Sequence, residues 1–295
     1  MFQPSGVLVV DKPSGISSFD VIRRVRRLSG QRKLGHAGTL DPMASGVLLV
    51  MMNKATRLTP YLTDGRKRYR AEVLLGVQTD SDDAMGEVTN QADLPPQLSR
   101  EQLVDALTAF VGRVQQVPPQ VSALHVDGVR AYKLARRGEE FEMPAREVEI
   151  ESIDVLNVAL PKVELDVRCG KGTYIRSIAR DLGRALGTFG HLSALRRTQV
   201  GPFDLSLATS LEQLEALGMN GLFEHLVPPY EALSDLLPLD LDAEACRRVS
   251  MGQNLFLGPL PQGVYRVADA ENKKELVAIV LSDGVTVQTK VFTAI

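Results

Sequence analysis

Cysteine is scarce in this chain of 295 residues. Only Cys169 and Cys246 occur, 77 positions apart and outside any Cys-x-x-Cys spacing. That excludes a disulfide framework and a thiolate zinc site, and it fits a reducing compartment. Long apolar runs are missing as well: the longest uninterrupted stretches have six residues, Val47 to Met52 among them. A membrane-spanning helix needs about 20 such residues, so none is expected. The first ten residues carry no cationic segment, so no secretory signal is expected either, and the sequence reads as cytoplasmic. Glycine and proline, 24 and 16, are too few for a low-complexity chain. What is present is ordinary for a globular protein, 44% hydrophobic and 24% charged, over a length suited to about two domains.

Several chemistries are excluded by spacing. A P-loop needs Gly-x-x-x-x-Gly-Lys-Ser/Thr, but Gly170-Lys171-Gly172-Thr173 has a glycine after the lysine and Leu165 where the first glycine belongs. Gly183, Gly187 and Gly190, separated by three and two residues, make no dinucleotide fingerprint. His36, His125, His191 and His225 are isolated, with no i, i+4 pair for a metal, and no Gly-x-Ser-x-Gly elbow exists. Neither a metal nor a cofactor is expected. What remains is chemistry carried by carboxylate, tyrosine and arginine.

The formal net charge of −2 is a sum over unlike segments. Residues 1–70 hold 13 Lys/Arg against 4 Asp/Glu, and residues 168–200 hold seven against the single Asp181. Residues 71–122 and 201–295 are acidic. Two cationic blocks gathered on one face would attract phosphate and release counterions, the behaviour of a polyanion-binding protein.

Along the chain, Gly6 to Val10 reads as a strand and 11–15 as a turn. Ser17 or Ser18 caps a helix with Asp20 at its positive end. Phe19, Ile22, Val25 and Leu28 recur there at helical spacing opposite Arg23, Arg24, Arg26 and Arg27, and Gly30 stops it. A glycine-punctuated loop, 35–42, leads into the strand Val47 to Met52. Tyr69, Ala71, Val73 and Leu75 alternate as in a half-buried strand. Ser99 with Gln102 forms a capping box for a helix ending near Phe110. Arg146 to Val158 and Lys162 to Arg168 read as antiparallel strands. Thr173 is placed to cap a helix whose arginines 176, 180 and 184 share a stripe. A short helix spans Ser210 to Leu217, and Pro228-Pro229 with the acidic stretch 234–242 reads as a linker. Three strands near 264–267, 276–281 and 285–291 then suggest a small β-barrel-like module.

Asp41 is the sharpest single candidate for chemistry. It precedes Pro42, which favours extended backbone, and follows Gly35 and Gly38, which permit close approach of a large ligand. Taken alone it is also an ordinary Asp-Pro turn, Tyr69 an ordinary strand residue and Arg176 a surface helix residue. The cluster Asp80-Ser81-Asp82-Asp83 reads as a solvated acidic loop. A glycoside hydrolase needs two carboxylates about 5–10 Å apart, and Asp41 has no evident partner. A non-catalytic RNA-binding or RNA-chaperone protein would use the same basic faces without needing Asp41.

Five blocks taken together carry a resemblance. GVLVVDKPSGISSFDVIRRVRR, KLGHAGTLDPMASGVLLV, KRYRAEVLLGVQTDSDDAMGEV, RCGKGTYIRSIARDLGRALG and LSALRRTQVGPF occur in the order found in TruB-type tRNA pseudouridine synthases, so the chain resembles that family over most of residues 5–203. The resemblance implies an α+β pseudouridine synthase fold over 1–230, a mixed and largely antiparallel sheet with flanking helices. A PUA or PUA-like β module is implied at 240–295. It implies isomerisation of uridine to pseudouridine at position 55 in the T stem-loop of tRNA, without a cofactor, by a monomer that flips the base out of the stack. On this resemblance Asp41 is the essential carboxylate, Tyr69 stacks on the base and aids the final deprotonation, and Arg176 pairs with the aspartate. Leu195 covers the other face of the base, His36 contacts the stem-loop, and Lys12 and Tyr174 line the wall. The chain departs from the family pattern at Val121, where Tyr is usual, at His125, where Lys is usual, and at Met85, where Asp or Thr is common.

Overall fold

The computed structural model describes residues 4–122, 124–126, 128–139, 141–271 and 275–292. The architecture is α+β, with mixed sheets in which most strand pairs are antiparallel. The chain divides into two compact units. The first comprises 1–42, 46–65 and 200–295, and the second 43–45 and 66–199.

The first unit begins with β1 (Gly6–Lys12) and α1 (Ser18–Ser29). Two further strands follow, β2 (Leu34–Ala37) and β3 (Ser45–Met52). β3 pairs antiparallel with both β1 and β2. β1 and β3 are apolar on both faces and buried on both, as continuous Val/Leu/Met runs require. Helix α1 is capped by Ser17, one of the two expected caps, which Asp20 completes into a capping box, and it ends as expected at Gly30, in the left-handed conformation. Its buried face is set by Val21, Ile22 and Val25, with Ser18 and Ser29. Phe19, expected in the apolar face, lies 58% exposed on the other side. The three apolar positions nearest the mean direction of that face cover it, and Phe19 falls one step around the helix, among the arginines.

The second unit carries β4 (Lys67–Leu75), α2 (Arg100–Thr108) and β5 (Gly112–Gln116). The long hairpin β6 (Arg146–Ala159) and β7 (Lys162–Cys169) follows, then α3 (Ile175–Ala185) and β8 (Gly190–Val200). Its strands lie in the order β8-β4-β7-β6-β5, and the expected hairpin pairs antiparallel from Ile150–Cys169 to Ala159–Lys162. The capping box of Ser99 with Gln102 also forms. Gly183 and Gly190 let α3 and the start of β8 meet backbone to backbone. A Cβ on Gly183 would sit 2.3 Å from the Phe189 carbonyl carbon, and one on Gly190 2.6 Å from the Ala179 oxygen. No side chain fits at either position.

After β8 the chain returns to the first unit with α4 (Leu211–Glu224), capped by Ser210, longer than expected and kinked at Gly218. The acidic stretch expected to be a linker supplies β9 (Leu237–Leu241) instead. It is followed by α5 (Ala243–Ser250), β10 (Gly263–Asp269), β11 (Leu276–Ser282) and β12 (Thr286–Phe292). β9 pairs parallel with β10 because its alternating leucines, 237, 239 and 241, give it a strand's period that the acids and Pro238 disguise. Leu241, Val249, Tyr265, Val267 and Val280 form a core of their own, while Ile279 and Leu276 of β11 join Val9, Leu49 and Met51 in the main core of the unit.

Two outcomes are expected. Gly183→Ala forces a methyl group into the Phe189–Gly190 backbone and should lower unfolding free energy by about 3 kcal/mol or more, measured by urea denaturation. The Ser17 hydroxyl and the Arg23 guanidinium hold the exposed Asp20 carboxyl down to about 2, against an ordinary 3.8. The stability it lends α1 is therefore present above about pH 4 and lost as pH falls through 2. A carboxyl-carbon NMR titration that put the Asp20 midpoint near 4 would contradict this.

Candidate active site

In the first unit the chain turns out of β2 through Gly38, whose φ of 73° only glycine adopts readily, into the loop that carries Asp41. Asp41 is half-buried between two anchors, Leu40 and Ala44, both buried. Its neighbours are tied to the start of α1. Ser18 Oγ accepts from the Leu40 N–H at 2.9 Å and donates to the Leu40 carbonyl at 3.0 Å. The Gly15 N–H donates to the Pro42 carbonyl at 2.8 Å. Lys12 has no exposed surface, and its ammonium donates to the carbonyls of Pro13, Ile16 and Pro42 at 3.0, 2.6 and 3.3 Å. It is thus a strut under the Asp41 loop. His36 stands half-buried on β2, opposite Val50 of β3.

The other candidates lie in the second unit. Tyr69 is buried near the start of β4, opposite Val167 of β7, and Leu195 is buried on β8. Tyr174 and Arg176 stand together at the start of α3. Thr173, expected to cap that helix, does not; the cap position falls to Tyr174, whose side chain makes no capping bond. The cap residue itself is held by Gln116 at the end of β5. Its buried amide accepts from the Tyr174 N–H at 2.8 Å and donates to the Tyr174 carbonyl at 3.1 Å, so it pairs with that residue as a strand would. The Arg146 guanidinium stacks over the Tyr174 ring, 4.7 Å from its centre, and donates to the Gly172 carbonyl.

Arg176 is buried. It donates to the carbonyls of Ser81 and Val121 at 2.9 and 3.0 Å and pairs with Asp83 at 3.3 Å. One turn on, buried Arg180 pairs with Asp82 at 2.9 Å and with Asp181 at 2.8 Å, and donates to the Val117 carbonyl. Arg184, third on the same stripe, is exposed. The cluster 80–83, expected to be a solvated loop, is therefore corrected: Ser81, Asp82 and Asp83 are all buried. Asp82 adopts the left-handed conformation, φ 59°, and backbone bonds between 82–84 and Leu192 hold the loop against β8. Both carboxylates then meet arginines one helical turn apart. Burial pushes the Asp82 carboxyl up, and the charges of Arg180, Arg176 and Arg184 pull it back. Gln116, Asp82, Asp83 and Arg180 escaped the sequence reading. The usable signal was two adjacent acids matched by two arginines at i, i+4.

Cys169 is buried, and burial pushes its thiol up to about 11, so it stays protonated and unreactive at neutral pH. Among the described residues, no group of three His, Cys, Asp or Glu side chains is placed to hold a metal. No helix among them is long and apolar enough to cross a membrane.

Solved structures share this architecture. A Cbf5–Nop10–Gar1 complex matches with a TM-score of 0.75 at 25% identity, over 97% of this chain and 83% of that one. Residues 26–175 match the N-terminal domain of the TruB family of pseudouridylate synthases, and 176–235 match the tRNA pseudouridylate synthase B C-terminal domain. The chain belongs to the TruB family. It is 48% identical over 250 residues to the tRNA pseudouridine synthase B of Ruegeria pomeroyi, covering 84% of this chain and 82% of that protein. It is 43% identical over 286 residues to the one from Xanthomonas campestris pv. campestris, covering 96% and 92%.

Asp82→Ala leaves Arg180 buried with only Asp181 as a carboxylate partner. Unfolding free energy should fall by about 2–3 kcal/mol in a denaturant titration, the cost of one charge-assisted hydrogen bond lost from a buried guanidinium that keeps Asp181. A loss below about 1 kcal/mol would mean that the pair is no more than a surface contact.

Proposed function

We propose that this protein isomerises uridine to pseudouridine in tRNA, at position 55 of the T-loop, with Asp41 as the essential carboxylate. The observation that carries the reading is the Asp41 loop itself. Of the residues flanking this aspartate, Leu40 is bonded to Ser18 at the start of α1 and Pro42 to Gly15 and Lys12, in a chain 48% identical to a named tRNA pseudouridine synthase B. The clamps fix the backbone on each side of Asp41, which is how a reacting carboxylate is held for one task.

Isomerisation breaks the N1–C1′ bond, turns the uracil, joins C5 to C1′ and finally releases the C5 proton. The base must leave the stack and stay trapped between those steps. Bonds broken and formed balance within the nucleotide, so no oxidant, reductant or cofactor enters. Tyr69 stacks on the base and aids the final deprotonation, while Leu195 closes its other face. Arg176 orients the Asp41 carboxylate, with Asp83 and the Ser81 and Val121 carbonyls fixing the guanidinium. Tyr174 lines the wall, and His36 contacts the RNA beside the vacated stack. Residues 1–230 act as the catalytic domain and 240–295 as a PUA-like RNA-binding domain of a cytoplasmic monomer.

Asp41→Asn should preserve fold and tRNA affinity while lowering the single-turnover rate by at least about a thousand-fold, because an amide matches the carboxylate's shape but is neither nucleophile nor base. Arg176→Lys replaces a planar fork by a point charge and should also cost far more in rate than in affinity. Pseudouridine content of an unmodified tRNA transcript reads both. Near-wild-type conversion by Asp41→Asn would end this assignment. An isolated T-arm hairpin should suffice as substrate, since folded RNA is read through backbone, 2′-hydroxyls and splayed loop bases.

A further inference from the structure

The solvent face of α1 is a stripe of one aromatic and three guanidiniums. Phe19, Arg23, Arg26 and Arg27 stand at i, i+4, i+7 and i+8, all exposed, and exposed Arg32 and Lys33 follow directly after the helix. The opposite face buries Val21, Ile22 and Val25, so packing holds the stripe outward. Its charge is barely neutralised. Asp20, the one acid of the helix, is taken up by the capping box and by Arg23. Glu215 faces Arg24, on the flank, at 3.9 Å. Arg26, Arg27, Arg32 and Lys33 have no carboxylate partner among the described residues.

An exposed phenylalanine gains nothing from solvent, and here the Arg23 guanidinium lies 5.9 Å from its ring centre. A planar cation beside a bare ring offers a nucleobase a stacking surface, and forked guanidiniums at successive turns match a line of phosphates. The stripe also starts in a telling place. Ser18, the residue before Phe19, makes both bonds to Leu40, and Gly15 holds Pro42, so the N-terminal end of α1 adjoins the Asp41 loop. From Phe19 to Arg27 it runs about 12 Å away from that loop.

We propose that this face of α1 is a second RNA-contact surface, which holds the strand flanking the target uridine through phosphates on Arg23, Arg26 and Arg27 and an unpaired base on Phe19. It rests on the reading of Asp41 as the residue that acts on that uridine. A protein partner would have to carry carboxylates past the same loop that RNA must reach in every turnover, so charge complementarity and position both favour RNA.

The test is single-turnover conversion of an unmodified tRNA transcript as a function of enzyme concentration, at several salt concentrations. For Arg26→Ala/Arg27→Ala the half-saturating enzyme concentration should rise about ten-fold. The log–log salt dependence should become shallower by one to two units, as loss of two phosphate contacts requires. Phe19→Ala should raise half-saturation by roughly ten-fold through lost stacking, with the salt slope unchanged. In both, the maximal rate should stay within about two-fold of wild type, and Arg26→Lys/Arg27→Lys should restore the slope. Unchanged half-saturation and slope, or a fall in maximal rate at unchanged half-saturation, would overturn the proposal. Failure of the underlying reading looks different: wild-type protein would then form no pseudouridine at all.

Discussion

Two arginines buried on one helix set the terms for the second unit. Arg176 and Arg180 stand one turn apart on α3, and an unpaired charge taken out of water costs several kcal/mol. That cost is met only if carboxylates and carbonyls come to them. The segment 81–83 and the segment 117–121 both do so, through Asp83, Asp82, Ser81, Val117 and Val121. The positions of two otherwise irregular stretches therefore follow from α3. Gly183 and Gly190 bring α3 against β8, so Arg176, Tyr174 and Leu195 are placed by elements fixed to one another. The buried polar network is high in stakes, since removal of either arginine leaves a buried carboxylate without its guanidinium.

Asp41 is positioned by a different device. Its loop is fixed by hydrogen bonds to the backbone before and after it, from the Ser18 hydroxyl, the Gly15 N–H and the Lys12 ammonium. Clamps of this kind set where the backbone that carries a carboxylate sits. In the second unit side-chain ion pairs do the holding, whereas in the first it is side-chain and backbone donors on carbonyls. Lys12 illustrates the economy: a cation that a charge count assigns to RNA is consumed by three carbonyls inside the fold.

Legibility in the sequence followed the range of the interaction. A serine cap at 17 or 18, the capping box at Ser99, the stop at Gly30 and the 146–168 hairpin depend on residues close in the chain, and they read correctly. Asp82 and Asp83 meet their arginines across nearly a hundred positions, so locally they look like a solvated acidic run. Gln116 and Tyr174 are 58 positions apart, and nothing local to either announces a pairing with backbone. The linker reading failed for a related reason: acids and Pro238 in 234–242 hide a strand whose period becomes visible only beside β10. Phe19 was misassigned because an apolar residue at helical spacing is counted as core by default, although three neighbours already cover that face. Function was legible through long family blocks, since Asp41, Tyr69 and Arg176 are unremarkable residue types one by one.

The central claim is that this chain moves the C1′ bond of a uridine from N1 to C5. That rearrangement expels the hydrogen on C5 while the base stays attached to RNA, and with no alkyl donor in the mixture no substitution at C5 competes with it. The direct measurement uses an unmodified tRNA transcript carrying tritium at C5 of its uridines, incubated with the wild-type protein, with tritium in water and free uracil both counted. The account predicts release of one tritium per tRNA molecule and no free uracil. RNA bound without tritium release, or uracil set free, would contradict it.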